Sequence, residues 1–467
     1  MTLWNTLWQH LYRLRPAFSR SQTFLWFALA VAGLAARNDS AGVTSIIRAL
    51  GLLPRYYHNL LGMFHSKAVD MPHLIKLWQI IVRKSLAPFL FRANGRIVCL
   101  ADGIKIAKAG KKMPAVKLLH QESESNSKPE YIYGHSCQAV AILAGVMGTL
   151  FAVPLCCQIH EGVVFSNRDK RTLIDKLAAL MKSLALNEPA YLVADAYYGA
   201  RKMIWALLKD GHHLVVALKS NAVAYAVASA FPDKRRGRKK KYGKKIYLRT
   251  LFESPENMTT VNSPVYGDEN VTIRYKTLDL LWKRAGILVR IVAVDYPGRG
   301  RKILLSTDLT LAAIDIIRIY GLRFKIEVAF KQAVHTIGAY AYHFWMQAMK
   351  PLKRKSGNQH LHHETEYYRK SVVRKMNAYH VHMMAGVVVQ GIAQIIAITQ
   401  PKSVWAAFGS WIRTIRPNVL PSEMVVLGAL RNTLPDFLAV SKTEAILAKF
   451  IRNKIDISRS EGLRLVA

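Results

Sequence analysis

Three acidic residues, Asp102, Asp195 and Glu327, occur where a carboxylate could take part in chemistry. Asp102 ends the apolar run Ile97 to Asp102 (IVCLAD), and Asp195 ends the run Tyr191 to Asp195 (YLVAD). Apolar runs of this length predict central strands covered on both faces, and the carboxyl ends of such strands carry the chemistry of open α/β sheets. If the two strands are neighbours, their two carboxylates repel each other and require a cation between them.

Hard oxygen ligands in this number favour Mg²⁺, with Mn²⁺ as the alternative. Mg²⁺ is usually held by one or two carboxylates, with phosphate oxygens and water completing its shell. Asp102 and Asp195 are therefore the candidate metal ligands from strands, and Glu327 is the candidate third ligand from a helix.

Glu327 lies in the stretch Tyr320 to Lys331 (YGLRFKIEVAFK). Tyr320, Arg323, Glu327 and Lys331 recur at spacings of three and four residues, so one α-helix would place them on a single face. An ion pair between Arg323 and Glu327 explains this pattern most simply, and such a pair contributes little to stability. The two aspartates in matching positions upstream favour a shared site instead.

Two strand-end aspartates followed by a helical Glu in a Tyr-x2-Arg-x3-Glu frame resemble the DDE transposases of bacterial insertion sequences. The resemblance is to the group with a Tyr-Arg-Glu-Lys signature, and it extends over most of the chain. Tyr320, Arg323 and Glu327 match that frame, whereas Val334 stands where the signature has its Lys, and Lys331 lies one turn after Glu327. The resemblance implies two-metal phosphoryl transfer that cuts element ends and joins the 3′-ends to target DNA.

The segment order predicts an α/β fold of three strands, a helix, a strand, a helix and a strand. The resemblance implies that this is a ribonuclease H-like mixed sheet in which the first and fourth strands are neighbours, with a β-rich insertion and helical regions on either side. The predicted segments are 1–92, a helical DNA-binding region; 93–220, the first part of the core; 221–305, the insertion with a basic loop; 306–349, the helix with the catalytic Glu; and 350–467, a helical C-terminal region.

The predicted core elements are strands at Ile97–Asp102, Tyr131–Val146, Thr149–Ile159, Tyr191–Asp195 and His213–Leu218, with helices at Arg168–Leu186 and Gly199–Lys209. In the insertion, strands are predicted at Ile246–Phe252, Val271–Leu278, Gly286–Tyr296 and Lys302–Leu305, separated by Gly, Pro, Asn and Asp.

The charge of the chain indicates a polyanionic partner. Lys and Arg total 67 against 29 Asp and Glu, a net charge of +38. Nucleic acid is the leading candidate, ahead of an anionic membrane surface or a packaging role, because neither of those explains the acidic residues. The resemblance narrows the partner to DNA, namely terminal inverted repeats and target DNA, bound by a homodimer.

Several basic residues are candidates for contact with DNA phosphates. Arg55 begins the second helix of a unit that resembles a helix-turn-helix, and Lys234 to Lys245 (KRRGRKKKYGKK) is too densely charged to fold on itself. A solvated loop is the alternative explanation of that block. The full set of DNA-binding candidates is Arg55, Arg235, Arg236, Arg238, Lys239, Lys240, Lys241, Tyr320, Arg323 and Lys331.

Cysteine usage and hydropathy indicate a cytoplasmic protein, and the resemblance implies one associated with the bacterial nucleoid. The four cysteines form no disulfide framework or zinc spacing, so buried thiols are expected. Phe24 to Ala36 is too short to span a bilayer, and Met383 to Thr399 carries two glutamines, so both runs are predicted to be buried helices. His360, His362 and His363 fit no metal pattern and predict a basic loop.

Two other functions remain open from the sequence. A metal-dependent DNA nuclease would share the acidic site but would not join the cut ends to a second DNA. A DNA-binding regulator derived from a transposase would carry the same charge without catalysis.

Overall fold

The apolar runs of the sequence become the buried strands and helices of a mixed α/β structure. The computed structural model describes residues 2–39, 41–121, 129–146, 148–228, 240–265, 270–353, 355–409, 415–439 and 446–458. The chain divides into two compact units, a helix-rich unit and a sheet unit. The helix-rich unit comprises Met1–Leu90, Gly103–Lys170 and Glu327–Ala467, and the sheet unit comprises Phe91–Asp102 and Arg171–Ile326.

The helix-rich unit is built from apolar helices at both ends of the chain. They are α1 (Leu3–Tyr12), α2 (Ser21–Ala36), α3 (Val43–Ala49), α4 (Tyr56–Phe64), α5 (Met71–Ser85), most of α9 (Phe324–Gln332), α10 (Glu366–Thr399), α11 (Pro401–Phe408), α12 (Glu423–Asn432), α13 (Leu434–Ala439) and α14 (Ile446–Arg452). A π-helix at Ala333–Ile337 continues directly from α9.

The predicted buried helices α2 and α10 form the centre of this unit. α2 is apolar on all sides and buried from Thr23 to Ala36 except at Leu25, as expected for a helix surrounded by other elements. α10 is long and apolar enough to cross a membrane by composition, but its apolar window is completely buried inside the protein. Glycines allow this close packing, because a Cβ at Gly391 would overlap the Trp78 ring.

The strands of the helix-rich unit form an antiparallel sheet against α10. β3 (Lys117–His120) pairs with β4 (Tyr131–Val146), which pairs with β5 (Thr149–Ile159). The two short strands β6 (Val163–Val164) and β15 (Gln359–His360) pair in parallel. β5 packs against α5 and α10, and the Trp78 indole nitrogen donates to the Pro154 carbonyl at 2.9 Å. The predicted strands β4 and β5 are confirmed with the same bounds.

The sheet unit contains a long mixed sheet. Its strands are β1 (Arg92–Ala93), the first part of β2 (Arg96–Ala107), β7 (Ala190–Ala194), β8 (His213–Leu218), β9 (Val223–Val227), β10 (Tyr242–Tyr247), β11 (Thr259–Asn262), β12 (Thr272–Trp282), β13 (Ile287–Tyr296) and β14 (Gly300–Ser306). Their spatial order is β10-β9-β12-β13-β14-β8-β7-β2, with β1 paired to β2 and β11 paired to β12.

The parallel strands of this sheet are β2, β7 and β8, and the remaining pairs are antiparallel. β7 and the part of β2 beside it are fully buried except at Arg96, which explains their continuous apolar sequence. The predicted insertion strands extend the same sheet through β14, which pairs with β8. One insertion strand was placed wrongly: β10 ends at Tyr247, and Leu248–Phe252 is a 3₁₀ helix.

Three helices belong to the sheet unit: α6 (Leu173–Ser183), α7 (Arg201–Lys209) and α8 (Ala313–Gly321). α6 is shorter than predicted at both ends. Its start is fixed by a reciprocal capping box between Thr172 and Asp175. α8 packs on β8, β13 and β14 and leads the chain to Arg323.

Candidate active site

Asp102 and Asp195 occupy equivalent positions on neighbouring parallel strands. β2 and β7 pair from Ile97 opposite Ala190 to Leu100 opposite Val193. Each aspartate follows two residues after the last of these pairs, and adjacent strands lie about 4.8 Å apart. The predicted adjacency of the first and fourth core strands is therefore confirmed, and both aspartates lie just beyond the paired stretch of β2 and β7.

Asp195 lies where the sequence predicted, directly after β7. Its side chain caps a 3₁₀ turn at Ala196–Tyr198, accepting a hydrogen bond at Oδ1 from the Tyr197 backbone N–H at 2.8 Å. This bond fixes the direction of the carboxylate at the end of the strand.

Asp102 does not end its strand, so that part of the prediction was wrong. β2 continues to Ala107, but its burial pattern changes at Asp102, from fully buried to alternating. The apolar run Ile97–Ala101 marks the part of β2 with both faces covered, and an alternating strand then continues. The sequence located the edge of the buried region and mistook it for the end of the strand.

Arg323 forms an ion pair with Asp102 inside the sheet unit. Its Nη1 donates to Asp102 Oδ2 at 2.8 Å, and the two side chains are 20% and 18% exposed. At this level of exposure the pair is partly shielded from water, so its attraction is stronger than that of a surface pair. The simplest explanation from the sequence considered only Glu327 as a partner for Arg323 and missed Asp102.

The predicted single helix through Tyr320 and Lys331 is interrupted. α8 ends at Gly321, Leu322 and Arg323 form a turn, and α9 begins at Phe324. The Arg323 N–H bonds to the Tyr320 carbonyl three residues earlier, as in a tightened helical end. A Cβ at Gly321 would overlap Val265, so close packing explains why the last residue of α8 is a glycine.

The other residues of this stretch fall on the two helices. Tyr320 is on α8, with the Lys302 ammonium 5.8 Å from its ring centroid. Glu327 is in the first turn of α9, and Lys331 is exposed in its last turn. Tyr320 and Glu327 are therefore on different helices, and the prediction of one helix face for all four residues was wrong.

Two buried cations hold the chain that follows the Glu327 helix. Arg37 donates through Nη2 to the carbonyls of Ile337 and Gly338 at 2.7 and 3.0 Å. Lys108 donates to the carbonyls of Tyr340 and Tyr342. Burial lowers the pKa of Arg37 to about 10 and that of Lys108 to about 8. The Arg37 bonds satisfy carbonyls at the end of the π-helix, and the Lys108 bonds satisfy carbonyls of the segment after it, which otherwise would be costly to bury.

The structure describes only part of the predicted DNA-binding set. Arg55 is exposed at the start of α4, beside the Tyr56 ring. Lys240 is exposed, and Lys241 is exposed with its ammonium donating to the Gly286 carbonyl at 2.6 Å. The remaining members of the basic block, Arg235, Arg236, Arg238 and Lys239, lie outside the described residues.

The donor chemistry of the site suits Mg²⁺, although a complete ligand set is not formed. Among the residues that the structure describes, no three His, Cys, Asp or Glu side chains are grouped to hold a metal ion. Mg²⁺ can be bound by one or two carboxylates with substrate phosphates and water. Asp102 and Asp195 provide two such carboxylates on adjacent strands, so these residues fit the ion.

A third carboxylate of the sheet unit was missed by the sequence interpretation. Asp308 is 4% exposed and accepts hydrogen bonds from the Tyr191 hydroxyl at 2.6 Å and from the Thr310 N–H and hydroxyl. Burial alone would raise the pKa of Asp308, but these bonds outweigh it and lower the pKa to about 2. The sequence Ser306 to Thr310 (STDLT) after an apolar strand is typical of such a side-chain-capped turn.

The family of the chain agrees with this site. The family described as DDE superfamily endonuclease matches residues 13–282, which is more than half of the chain and includes Asp102 and Asp195. The chain belongs to this family of endonucleases.

No curated protein matches the chain. Among solved structures, the chain is similar to a piggyBac transposase in a synaptic complex with hairpin DNA. That similarity has 10% identity and a TM-score of 0.38, and it covers 95% of this chain and 78% of the other.

Proposed function

We propose that this chain is a DNA transposase that cuts the ends of its element and joins the freed 3′-ends to target DNA. The observation that carries the proposal is the placement of Asp102 and Asp195 at equivalent positions on two buried parallel strands. Membership of the DDE endonuclease family supports cleavage of nucleic acid. The Tyr-Arg-Glu frame at Tyr320, Arg323 and Glu327 supports the insertion-sequence group of transposases within it.

Asp102, Asp195 and Glu327 are the proposed metal ligands, for Mg²⁺ or alternatively Mn²⁺. When bound, such ions stabilise the charge that develops on the attacking and leaving oxygens during phosphoryl transfer. Asp195 is directed by its hydrogen bond to the Tyr197 N–H, and Asp102 is directed by Arg323. Both carboxylates thus keep a defined orientation before substrate arrives, which reduces the reorganisation needed during the reaction.

Arg323 and the other signature residues have supporting roles in this proposal. The planar guanidinium of Arg323 positions Asp102 and carries donors that suit a DNA phosphate. Lys331 is exposed and supplies a point charge toward DNA, while Tyr320 is a packing or phosphate-contact residue. Arg55 and the basic block 234–245 contact the backbone of the terminal repeats and target DNA without reading bases. A homodimer in the cytoplasm would bring two element ends together.

The proposal is tested on DNA that carries the inverted repeats flanking the coding region. The purified chain, with Mg²⁺, should nick or cut at the repeat ends and join the 3′-ends to a second plasmid, and EDTA should abolish both steps. Asp102→Asn should remove cleavage. The matched control is Asp295→Asn, because Asp295 also lies on a strand and pairs with an arginine, Arg274, at 2.9 Å.

The outcomes separate the proposal from the two other functions. Cleavage without joining to the second plasmid indicates a nuclease, and binding without metal-dependent cleavage indicates a regulator. Cleavage that persists in Asp102→Asn would remove the proposed site itself.

A further inference from the structure

A basic cleft in the helix-rich unit is lined by none of the residues assigned above. It has a volume of about 660 Å³ and is formed by the turn between α4 and α5 and by the exposed first turns of α10. Its charged lining residues are Lys67, Asp70, Glu366, Arg369, Lys370 and Arg374.

The charge balance of this cleft is positive. Glu366 is paired with Lys370 at 2.7 Å, and the Asp70 carboxylate accepts the His73 N–H as the cap of α5. Within the described part of the chain, no carboxylate lies within ion-pair distance of Lys67, Arg369 or Arg374. Lys67 and Arg374 are exposed, and Arg369 is half-buried, so three positive charges remain available to a ligand.

The cleft has a fixed geometry because its two walls are bonded to each other. The Lys375 ammonium on α10 donates to Nε2 of His65 at 2.9 Å, and the His65 ring bonds through Nδ1 to the Leu61 carbonyl. Burial lowers the pKa of His65, which keeps the ring neutral and able to accept this bond at neutral pH. The turn after α4 is thereby held against α10 at a defined distance.

The form of α10 also requires an explanation. Its C-terminal half is buried in the core, whereas its first twelve residues project polar and basic side chains, and Tyr367 is 81% exposed. The stability of the core does not require the exposed part to carry Arg369, Lys370 and Arg374 together. A polyanion bound along this segment would account for that composition.

We infer that the cleft between the α4–α5 turn and the start of α10 binds the phosphate backbone of duplex DNA, through Lys67, Arg369 and Arg374. This inference rests on the proposed function and extends it, because the cleft adds a contact region to Arg55 and the basic block. Charge complementarity favours a phosphate backbone, and the exposed Val373 side chain offers an apolar contact to deoxyribose. The contact carries no base specificity.

The first experiment measures binding of duplex DNA of unrelated sequence by fluorescence anisotropy across a range of salt concentrations. Each phosphate contact contributes about 0.9 to the slope of log K against log salt. The triple variant Lys67→Gln, Arg369→Gln and Arg374→Gln should therefore lose roughly 2 to 3 units of slope and at least about tenfold in affinity. The matched control is the triple variant Lys76→Gln, Lys402→Gln and Lys449→Gln, with three exposed lysines of the same unit. The control variant should lose less of the slope of log K against log salt than the cleft variant does.

The second experiment locates the DNA. All four native cysteines are buried, so a thiol-reactive iron chelate will label an exposed cysteine introduced by Asn377→Cys, which lines the cleft. Protein labelled at position 377 should cut the bound DNA, and protein labelled at the Ser403→Cys control position on α11 should not. Thermal unfolding of each variant confirms that it is folded.

The outcomes are distinct. A triple variant with wild-type slope, or equal cutting from both labelled positions, overturns the cleft while leaving the transposase proposal intact. The inference is also overturned if a polyglutamate peptide binds at position 377 and no DNA is cut from that position. That result would favour an acidic protein partner. A wild-type protein that binds no DNA removes the proposed function and this inference together.

Discussion

Asp308 and the pair Asp102 and Asp195 lie toward opposite ends of the same buried strands in the sheet unit. Asp308 bonds to Tyr191, near the start of β7, whereas Asp195 follows its end, roughly 13 Å further along the strand. Asp308 is 4% exposed, and besides its hydrogen bonds from Tyr191 and Thr310 it pairs with Arg96 at 3.6 Å, whereas Asp102 is 18% exposed and pairs with Arg323 at 2.8 Å.

The difference separates a structural carboxylate from candidate functional ones. Asp308 is surrounded by donors from its own turn and from β7, and Arg96 on β2 pairs with it, so its charge is compensated inside the fold. At the other end, Asp102 and Asp195 follow matching positions of neighbouring strands, and the Arg323 guanidinium compensates the charge of Asp102. In the proposed function, these two aspartates are metal ligands, whereas Asp308 has no part in the reaction.

The largest expected effect is on DNA cleavage, from a substitution at the end of the strands where Asp102 and Asp195 lie. Asp195→Asn preserves shape and the bond from the Tyr197 N–H but removes the charge, so metal-dependent DNA cleavage should fall by on the order of 10³-fold or more. The temperature of unfolding should stay the same or rise, because a repulsive charge beside Asp102 is removed. Cleavage assays and thermal unfolding of the same preparation measure both. An active Asp195→Asn protein would contradict the assignment.

Asp308→Asn should show the reverse behaviour. It replaces a buried acceptor of the Tyr191 hydroxyl with an amide, leaving a group of the wrong hydrogen-bonding type beside Thr310. The free energy of unfolding should fall by about 2–4 kcal/mol. Cleavage per folded molecule should remain close to wild type. Denaturant unfolding with activity corrected for the folded fraction distinguishes this result from a catalytic role.

The positions of Asp102 and Asp195 could be predicted from the sequence. Apolar runs that stop at Ala-Asp reveal buried parallel strands, because such strands need apolar side chains on both faces. Their local sequence located Asp102 and Asp195, and the family resemblance supplied their adjacency. The spacing from Arg323 to Glu327 was likewise visible, although the break between α8 and α9 was not.

The contacts between distant residues could not be predicted in this way. Arg323 and Asp102 are 221 residues apart, and Tyr191 and Asp308 are 117 residues apart. A polar residue in an apolar segment is expected to have a partner, because burial without one is costly. Its local sequence does not identify that partner. The basic cleft has the same origin, because Lys67 and Arg374 line one cleft only when the α4–α5 turn lies against α10.

Acid should weaken the structural end of the sheet unit selectively. The folded pKa of Asp308 is about 2, below the value near 3.9 of an unfolded Asp. Its contribution to stability is therefore complete above about pH 5 and is lost as the pH falls toward 2. We expect a loss on the order of 1–2 kcal/mol from this group over that range. In Asp308→Asn the same range should show a correspondingly shallower decline, measured by urea unfolding at each pH.

The smallest expected effect is on the free energy of unfolding of an Arg323 variant. It sharpens the comparison because stability near Asp102 and Asp195 should depend on divalent metal. Without divalent ions, Arg323→Gln leaves the Asp102 carboxylate next to Asp195 with less compensation, so the free energy of unfolding should fall by about 1 kcal/mol. With millimolar Mg²⁺ the deficit should shrink, because an ion at the two carboxylates would replace part of the lost charge. Arg290→Gln is the matched control, since Arg290 pairs with Asp279 on neighbouring strands at 2.9 Å. Its deficit should not change with Mg²⁺, and an equal response in both variants would argue against a metal site at Asp102.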